Sequence, residues 1–319
     1  PTLIAISVIV FTIIEAPPGD YLESYVAELQ AQGEAVDQQE IDFLRQQYGF
    51  DDPAYIRYFK WVTGMVQGDF GFSFEYRLPV SEVIGDRMFL TVMLSMVTIL
   101  FTWALAFPIG MYSATHQYSW GDYGLTFVGL IGLATPNFLL ALLLLYLANV
   151  TFGTSIGGLM DPQYLDQPWS WAKAVSVLEH LWIPVIVIGT GGTAGMIRRL
   201  RANLLDELQK PYVVTGRAKG LHPFKLLVKY PLRVAVNFFV ADIGSLLPAV
   251  ISGAEITAIV LSLPTTGPMM IQALQSQDMY LAGSFLMFLS SLTVVGVLIS
   301  DIALAVLDPR IRLRGGATK

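Results

Sequence analysis

Tyr212-Val-Val-Thr-Gly-Arg-Ala-Lys-Gly-Leu-His-Pro-Phe-Lys-Leu-Leu-Val-Lys-Tyr-Pro-Leu-Arg233 is a polar, basic loop set between strongly apolar segments. Arg198 to Arg233 carries nine Lys/Arg against Asp206 and Glu207. A basic block of this kind is what a loop on the cytoplasmic side of a membrane carries. Within it, Gly220 separates a helix ending at Lys219 from another beginning near Pro223. Glycine accepts the left-handed angles at which helices end, and proline fits a first helical turn. That break predicts two short helices whose joint projects Leu221 and Phe224, flanked by Arg217, Lys219 and Lys225. Membrane topology alone does not require such a tip, and a bare loop gains nothing from an exposed Leu and Phe. A loop inserted in a groove of another protein does.

The rest of the chain reads as an all-α integral membrane protein. Of its 319 residues 54% are hydrophobic and 14% charged, with mean hydropathy +0.57, whereas ordinary globular domains are roughly a quarter charged. A span needs roughly 20 apolar residues. Phe89–Tyr112, Leu125–Val150, Val236–Leu263 and Leu281–Leu307 meet or approach that length, and Leu181–Ile197 is a shorter fifth. Pro1–Ile14 reads as the surviving part of a first helix, because a signal-peptide core would bring a basic flank and a cleavage site. Six spans would then leave both termini in the cytoplasm.

Residues 15–85 fall on the outer side in this topology, with 13 acids against four bases. Asp37 to Glu40 resembles a capped helix start leading into Ile41, Leu44 and Tyr48. Asp52-Pro53 opens a second helix, in which Tyr55, Tyr58, Phe59, Val62, Met65 and Val66 recur at helical spacing. That face is expected to pack on its own protein, with the membrane surface or a partner as the other settings. Residues 86–319 form the expected core of five helices, with the basic loop at 198–235.

Several chemistries are excluded or unsupported. The absence of cysteine removes disulfides, thiolate metal sites and thiol nucleophiles, and His116, His180 and His222 have no metal-binding spacing. No phosphate loop occurs, so the chain should not bind ATP by that motif. Ile186 to Gly195 imitates a dinucleotide-binding turn but lacks the alternating strand–helix context. Its Gly191 and Gly195 are spaced for close helix packing.

Acids within membrane spans are costly and face a bundle interior or an aqueous cavity. Glu255 is the foremost candidate for a translocation path, with Ser252 one helical turn before it. Asp242 and Asp301 are further candidates, equally readable as structural acids. Pro108, Pro136, Pro184 and Pro248 are candidate kinks.

Thr215-Gly-Arg-Ala-Lys-Gly-Leu221 resembles the coupling-helix motif of permease subunits of ABC importers, in the dipeptide/oligopeptide branch. Pro18-Gly-Asp20, Ile41-Asp-Phe-Leu-Arg-Gln-Gln-Tyr-Gly49 and Gly68-Asp-Phe-Gly71 extend the resemblance. Ala134-Thr-Pro-Asn137, Arg198-Arg-Leu-Arg-Ala-Asn203 and Leu307-Asp-Pro-Arg-Ile-Arg312 carry it almost to the end of the chain. It implies a type I ABC importer transmembrane domain with a helical periplasmic insertion, in the bacterial inner membrane. The implied partners are a second, similar permease, two ATP-binding subunits and a periplasmic binding protein, besides membrane lipid and without nucleic acid.

In that reading this chain is not an enzyme and binds no cofactor, ATP and Mg being held by the ATPase subunits. Arg217, Ala218, Lys219, Gly220, Leu221 and Phe224 would make the ATPase contact. Two departures bear on substrate class. Pro264-Thr-Thr-Gly267-Pro268 stands where many relatives have Pro-Gly-Leu-Gly, and the acid usually found shortly before that turn appears one helical turn earlier as Glu255. Oligosaccharides or other small solutes are therefore the alternative cargo. An ion-coupled secondary transporter would need paired intramembrane acids and internal repeats, and two similar halves are not evident. A membrane-embedded enzyme would need a nucleophile, metal cluster or cofactor site.

Overall fold

A computed structural model describes residues 1–16, 26, 52–73, 75–153, 157–164 and 167–307. The expected helix start at Asp37–Glu40, the motifs at Pro18–Asp20 and Ile41–Gly49, and the basic tail after Leu307 lie outside the described residues. Apart from one two-stranded hairpin, the regular structure of the described chain is helical. Among the described residues, three helices are long and apolar enough to cross a membrane: Val80–Thr115, Trp171–Leu208 and Met279–Leu307. Two bent pairs, Trp120–Ala134 with Asn137–Thr151 and Pro223–Ala241 with Ile243–Ser252, raise the candidates to five.

Two of the expected spans differ in detail. Leu125–Val150 turns through 100° between its two helices, where Thr135 is extended and Pro136 caps the second helix. Proline disfavours helical angles in the residue before it, which ends the first helix there. Val236–Leu263 is a series of short helices, Asn237–Ala241, Ile243–Gly253 and Glu255–Val260. The Ser300 hydroxyl reaches the carbonyls of Val240 and Ala241 at 2.5 and 2.9 Å, next to the break at Asp242. Pro108 and Pro184, by contrast, lie inside unbroken helices.

The chain folds as two compact units, Pro1–Thr91 with Thr265–Leu292 and Val92–Pro264 with Thr293–Lys319. In the first unit, helix Ala54–Gln67 buries Trp61 against Val10 and Phe11 of helix Thr2–Glu15. Phe11 and Tyr58 meet edge to face at 5.4 Å, and Arg57 pairs with Glu15 at 2.6 Å. The aromatic face expected on this helix therefore divides. Tyr58, Val62 and Met65 pack inward, while Tyr55, Phe59 and Val66 stay exposed. The hairpin Phe72–Ser73/Leu78–Pro79 is tied down by fully buried Asp278, which accepts from the Ser73 hydroxyl at 2.6 Å.

The second unit is organised on Trp171–Leu208, the most buried of the three long helices. It packs against Trp120–Ala134, Asn137–Phe152 and Pro231–Ala235. At about 1.5 Å per residue it is about 57 Å long, against about 30 Å of hydrocarbon, so it is longer than a span needs. Its C-terminal turns carry Arg198, Arg199 and Arg201. The close packing expected at Gly191 and Gly195 holds in part, for a Cβ on Gly191 would touch the Asn137 side chain at 3.4 Å. A Cβ on Gly189 would come within 2.7 Å of the Phe101 ring, whereas one on Gly195 would meet nothing within 4 Å.

Candidate functional site

The basic loop is a pair of short helices, Pro211–Ala218 and Pro223–Lys229, each opened by proline. Gly220 has φ +76°, a left-handed angle that side chains with a Cβ resist. Its N–H donates to the Arg217 carbonyl at 3.0 Å, and the Leu221 N–H to the Gly216 carbonyl at 3.3 Å. These two bonds form a Schellman closure, which satisfies carbonyls left over at the helix end. Gly216 serves a different purpose. A Cβ there would lie 2.5 Å from Leu226 Cδ1, so glycine at this position lets the Leu226 side chain pack directly on the first helix.

The residues singled out in the sequence fall together on this hairpin. Arg217, Ala218, Lys219, Gly220 and Lys225 are exposed around the joint. Phe224 is 66% exposed, and Val214 and Val228 add apolar surface. Leu221 differs from the expectation of a two-residue tip. It is half-buried and turned toward Gly216, so Phe224 alone forms the prominence.

The hairpin has a fixed base. The Tyr212 hydroxyl donates to Glu207 at the end of the central helix, and the Arg233 guanidinium donates to the Leu307 carbonyl at 3.0 Å. Leu200, Leu204, Ala235 and Phe239 form a buried core beneath it. Arg199 pairs with Asp242 at 3.0 Å and lies over the Phe238 ring. This pair gives Asp242 a structural partner.

One residue of this base is not marked by the sequence as part of a site. Asp122, 3% exposed, accepts from Arg201 Nε at 3.2 Å and Nη2 at 2.9 Å, and from the Tyr118 N–H at 3.0 Å. Ser119-x-x-Asp122 has the spacing of a helix N-cap, and the Ser119 hydroxyl accepts from the Asp122 N–H. That spacing is a readable signal for the helix start, though not for the ion pair across to Arg201. Removing one partner of a buried pair costs about 3–5 kcal/mol, with less expected here because Arg201 is partly exposed. Asp122→Ala is accordingly expected to lower the melting temperature of the purified protein clearly, while Lys210→Ala leaves it unchanged. Equal melting of the two would show the pair to be energetically idle.

The acids of the spans stand apart from the loop. Ser252 lies in the last turn of Ile243–Gly253 and Glu255 begins the next helix, with Ala254 at the break between them. Asp301 is exposed on Met279–Leu307. Among the described residues neither Glu255 nor Asp301 has an ion pair, and no group of three potential metal ligands occurs.

Residues 106–313 match the family described as "Binding-protein-dependent transport system inner membrane component". The matched span includes the hairpin, its base and Glu255. The oligopeptide transport system permease protein AppB of Bacillus subtilis is 33% identical over 312 residues, 98% of this chain and 95% of that protein. A putative peptide permease protein of Brucella ovis is 30% identical over 313 residues, with the same coverage of both chains. The dipeptide transport system permease protein DppB of Escherichia coli K12 is 28% identical over 328 residues, again covering 98% and 95%. Near full-length similarity and the family match together make this chain a member of the family of binding-protein-dependent transport system inner membrane components, in its branch of peptide and oligopeptide permeases.

Proposed function

We propose that the chain is one permease subunit of an ATP-driven importer for oligopeptides or similarly sized solutes. The observation that carries this reading is the hairpin at 211–229, a rigid turn with a cationic rim and an exposed Phe224, standing on the end of the central helix. A second permease completes the pore, and an external binding protein delivers the solute. Two ATP-binding subunits sit on the cytoplasmic side, one of them receiving Arg217 to Leu221 and Phe224 in a groove. Closure of the ATPases pushes the hairpin, and its fixed base transmits the movement to the spans. Residues 15–85 form the outer segment and 86–319 the permease core, with both termini inside, as the distribution of Lys and Arg favours.

Glu255 and Ser252 are assigned to the wall of the translocation path. The half-buried acid at a helix break, without an ion-pair partner, supports that role. Oligosaccharides or other small solutes are the alternative cargo, because Pro264-Thr-Thr-Gly-Pro268 departs from the turn that many relatives carry. Uptake of labelled peptides and oligosaccharides into vesicles holding the complete transporter, its binding protein and internal ATP tests these points together. Peptide uptake that needs ATP and falls at least severalfold in Glu255→Gln is the expected result. Uptake persisting without nucleotide would indicate ion coupling, and full activity of the variant would remove Glu255 from the path.

A further inference from the structure

A cleft of about 270 Å³ opens between Trp120–Ala134 and the C-terminal half of Trp171–Leu208. Its floor is apolar and made of small residues, for a Cβ on Gly129 would sit 3.6 Å from the Ala194 Cβ. Leu130 forms a wall, and Tyr118, Tyr123 and Arg198 surround the mouth. The mouth is held by the Asp122–Arg201 pair. Tyr118 takes a left-handed φ of 63° there, with its N–H donating to Asp122.

The charges at this mouth do not cancel. Both carboxylate oxygens of Asp122 are engaged by Arg201, and one of them also by the Tyr118 N–H. Arg198 is exposed and has no ion pair among the described residues, which leaves one positive charge at the rim. Tyr118, Trp120 and Tyr123 are 68, 93 and 58% exposed beside it. Amphipathic rings of this type settle at the boundary between hydrocarbon and headgroups. The cleft thus repeats the layering of a membrane leaflet, with an apolar slot, an aromatic border and a cation.

We propose that this cleft binds an anionic phospholipid, with one acyl chain in the slot over Gly129 and Ala194 and the phosphate on Arg198. Basic pockets between transmembrane helices bind such headgroups. The volume is below the roughly 300–1,000 Å³ of pockets for drug-sized ligands, so one chain segment enters and the rest of the lipid stays in the bilayer. The placement in the cytoplasmic leaflet rests on the topology proposed above. The lipid would brace the short turn between Thr115 and Trp120 against the base of the hairpin.

The test is native mass spectrometry of the detergent-purified, assembled transporter with phosphatidylglycerol or phosphatidylcholine added. The parent is expected to retain phosphatidylglycerol preferentially, and Arg198→Gln to reduce that preference about fivefold. This factor corresponds to the about 1 kcal/mol that a basic residue contributes near an anionic membrane surface. Lys210→Gln removes the same charge outside the cleft and should retain the preference. Gly129→Leu should lose both lipids with its melting temperature preserved, while Gly129→Ala, whose methyl has room, should bind. Inorganic phosphate should not compete. An unchanged preference in Arg198→Gln, normal binding by Gly129→Leu, or a crosslink placing a protein segment in the cleft would overturn the proposal. Lipid retention is read without transport, so a wrong cargo or coupling assignment would leave these outcomes as they are.

Discussion

Gly220→Val is expected to reduce ATP-driven uptake at least tenfold while leaving the transporter assembled. The cause would be backbone conformation rather than lack of space, because a Cβ at this position would meet nothing within 4 Å. A left-handed angle costs an ordinary L-residue roughly 1–2 kcal/mol, and a β-branched one tolerates it worse. Relief of that strain opens the turn and breaks the bonds from Gly220 to Arg217 and from Leu221 to Gly216. The lever then loses its shape. Asn accepts left-handed angles better than most residues, so Gly220→Asn should keep much of the activity. Phe224→Asp tests the contact surface separately, since the turn stays closed while a side chain whose burial contributes about 1.5–3 kcal/mol becomes a charge. Uptake and ATP hydrolysis measured on the same vesicles read both variants. Equal, full activity of Gly220→Val and Phe224→Asp would disconnect the hairpin from coupling.

The second large effect is expected where Ile243–Gly253 crosses the last helix. A Cβ on Gly244 would lie 2.5 Å from the Val297 nitrogen and 2.7 Å from its Cα. A Cβ on Gly296 would lie 2.9 Å from the Gly244 Cα. The obstructing atoms are backbone, so no rotamer change relieves the clash and the helices must separate. Contacts of this kind are how small residues hold membrane helices together. Ser300, one turn beyond Gly296, adds its hydroxyl to the Val240 and Ala241 carbonyls. Gly244→Ala should therefore destabilise by about 1–3 kcal/mol, the usual cost of overpacking. Gly244→Val should scarcely accumulate as folded protein. Thermal unfolding followed by size-exclusion chromatography checks both, with Gly129→Ala as the tolerated comparison. Parent-like melting of Gly244→Ala would show that the crossing is looser than these distances require.

The local features that could be read in the sequence were those with a local physical cause. The helix–glycine–helix form of the hairpin followed from Gly220 and Pro223, and the long spans at 89–112 and 281–307 from their apolar length. What stayed hidden depends on which residues meet across helices. Gly216 resembles any other glycine until Leu226 is brought against it, and Leu221 reads as an exposed tip until it turns back toward Gly216. Gly244 and Gly296 lie far apart in the chain with nothing to link them beforehand. Gly191 and Gly195 had the familiar spacing, yet only Gly191 of the two meets a neighbour, Asn137, and the closer approach is that of Gly189 to Phe101. Asp122 carried a visible N-cap signal, but its ion pair with Arg201 required knowing that the two helices lie side by side. Val236–Leu263 looked like one apolar span because composition does not register the helix breaks at Asp242 and Ala254.

The position of Phe224 in the working transporter is the central point. The chain contains no cysteine, so Phe224→Cys would give it a single thiol. This variant should form a disulfide with a cysteine placed in the groove of an ATP-binding subunit, with a yield that changes between the nucleotide-free and ATP-bound states. An assembled, active transporter in which that thiol never crosslinks to the ATP-binding subunit, or crosslinks instead to the external binding protein, would contradict it.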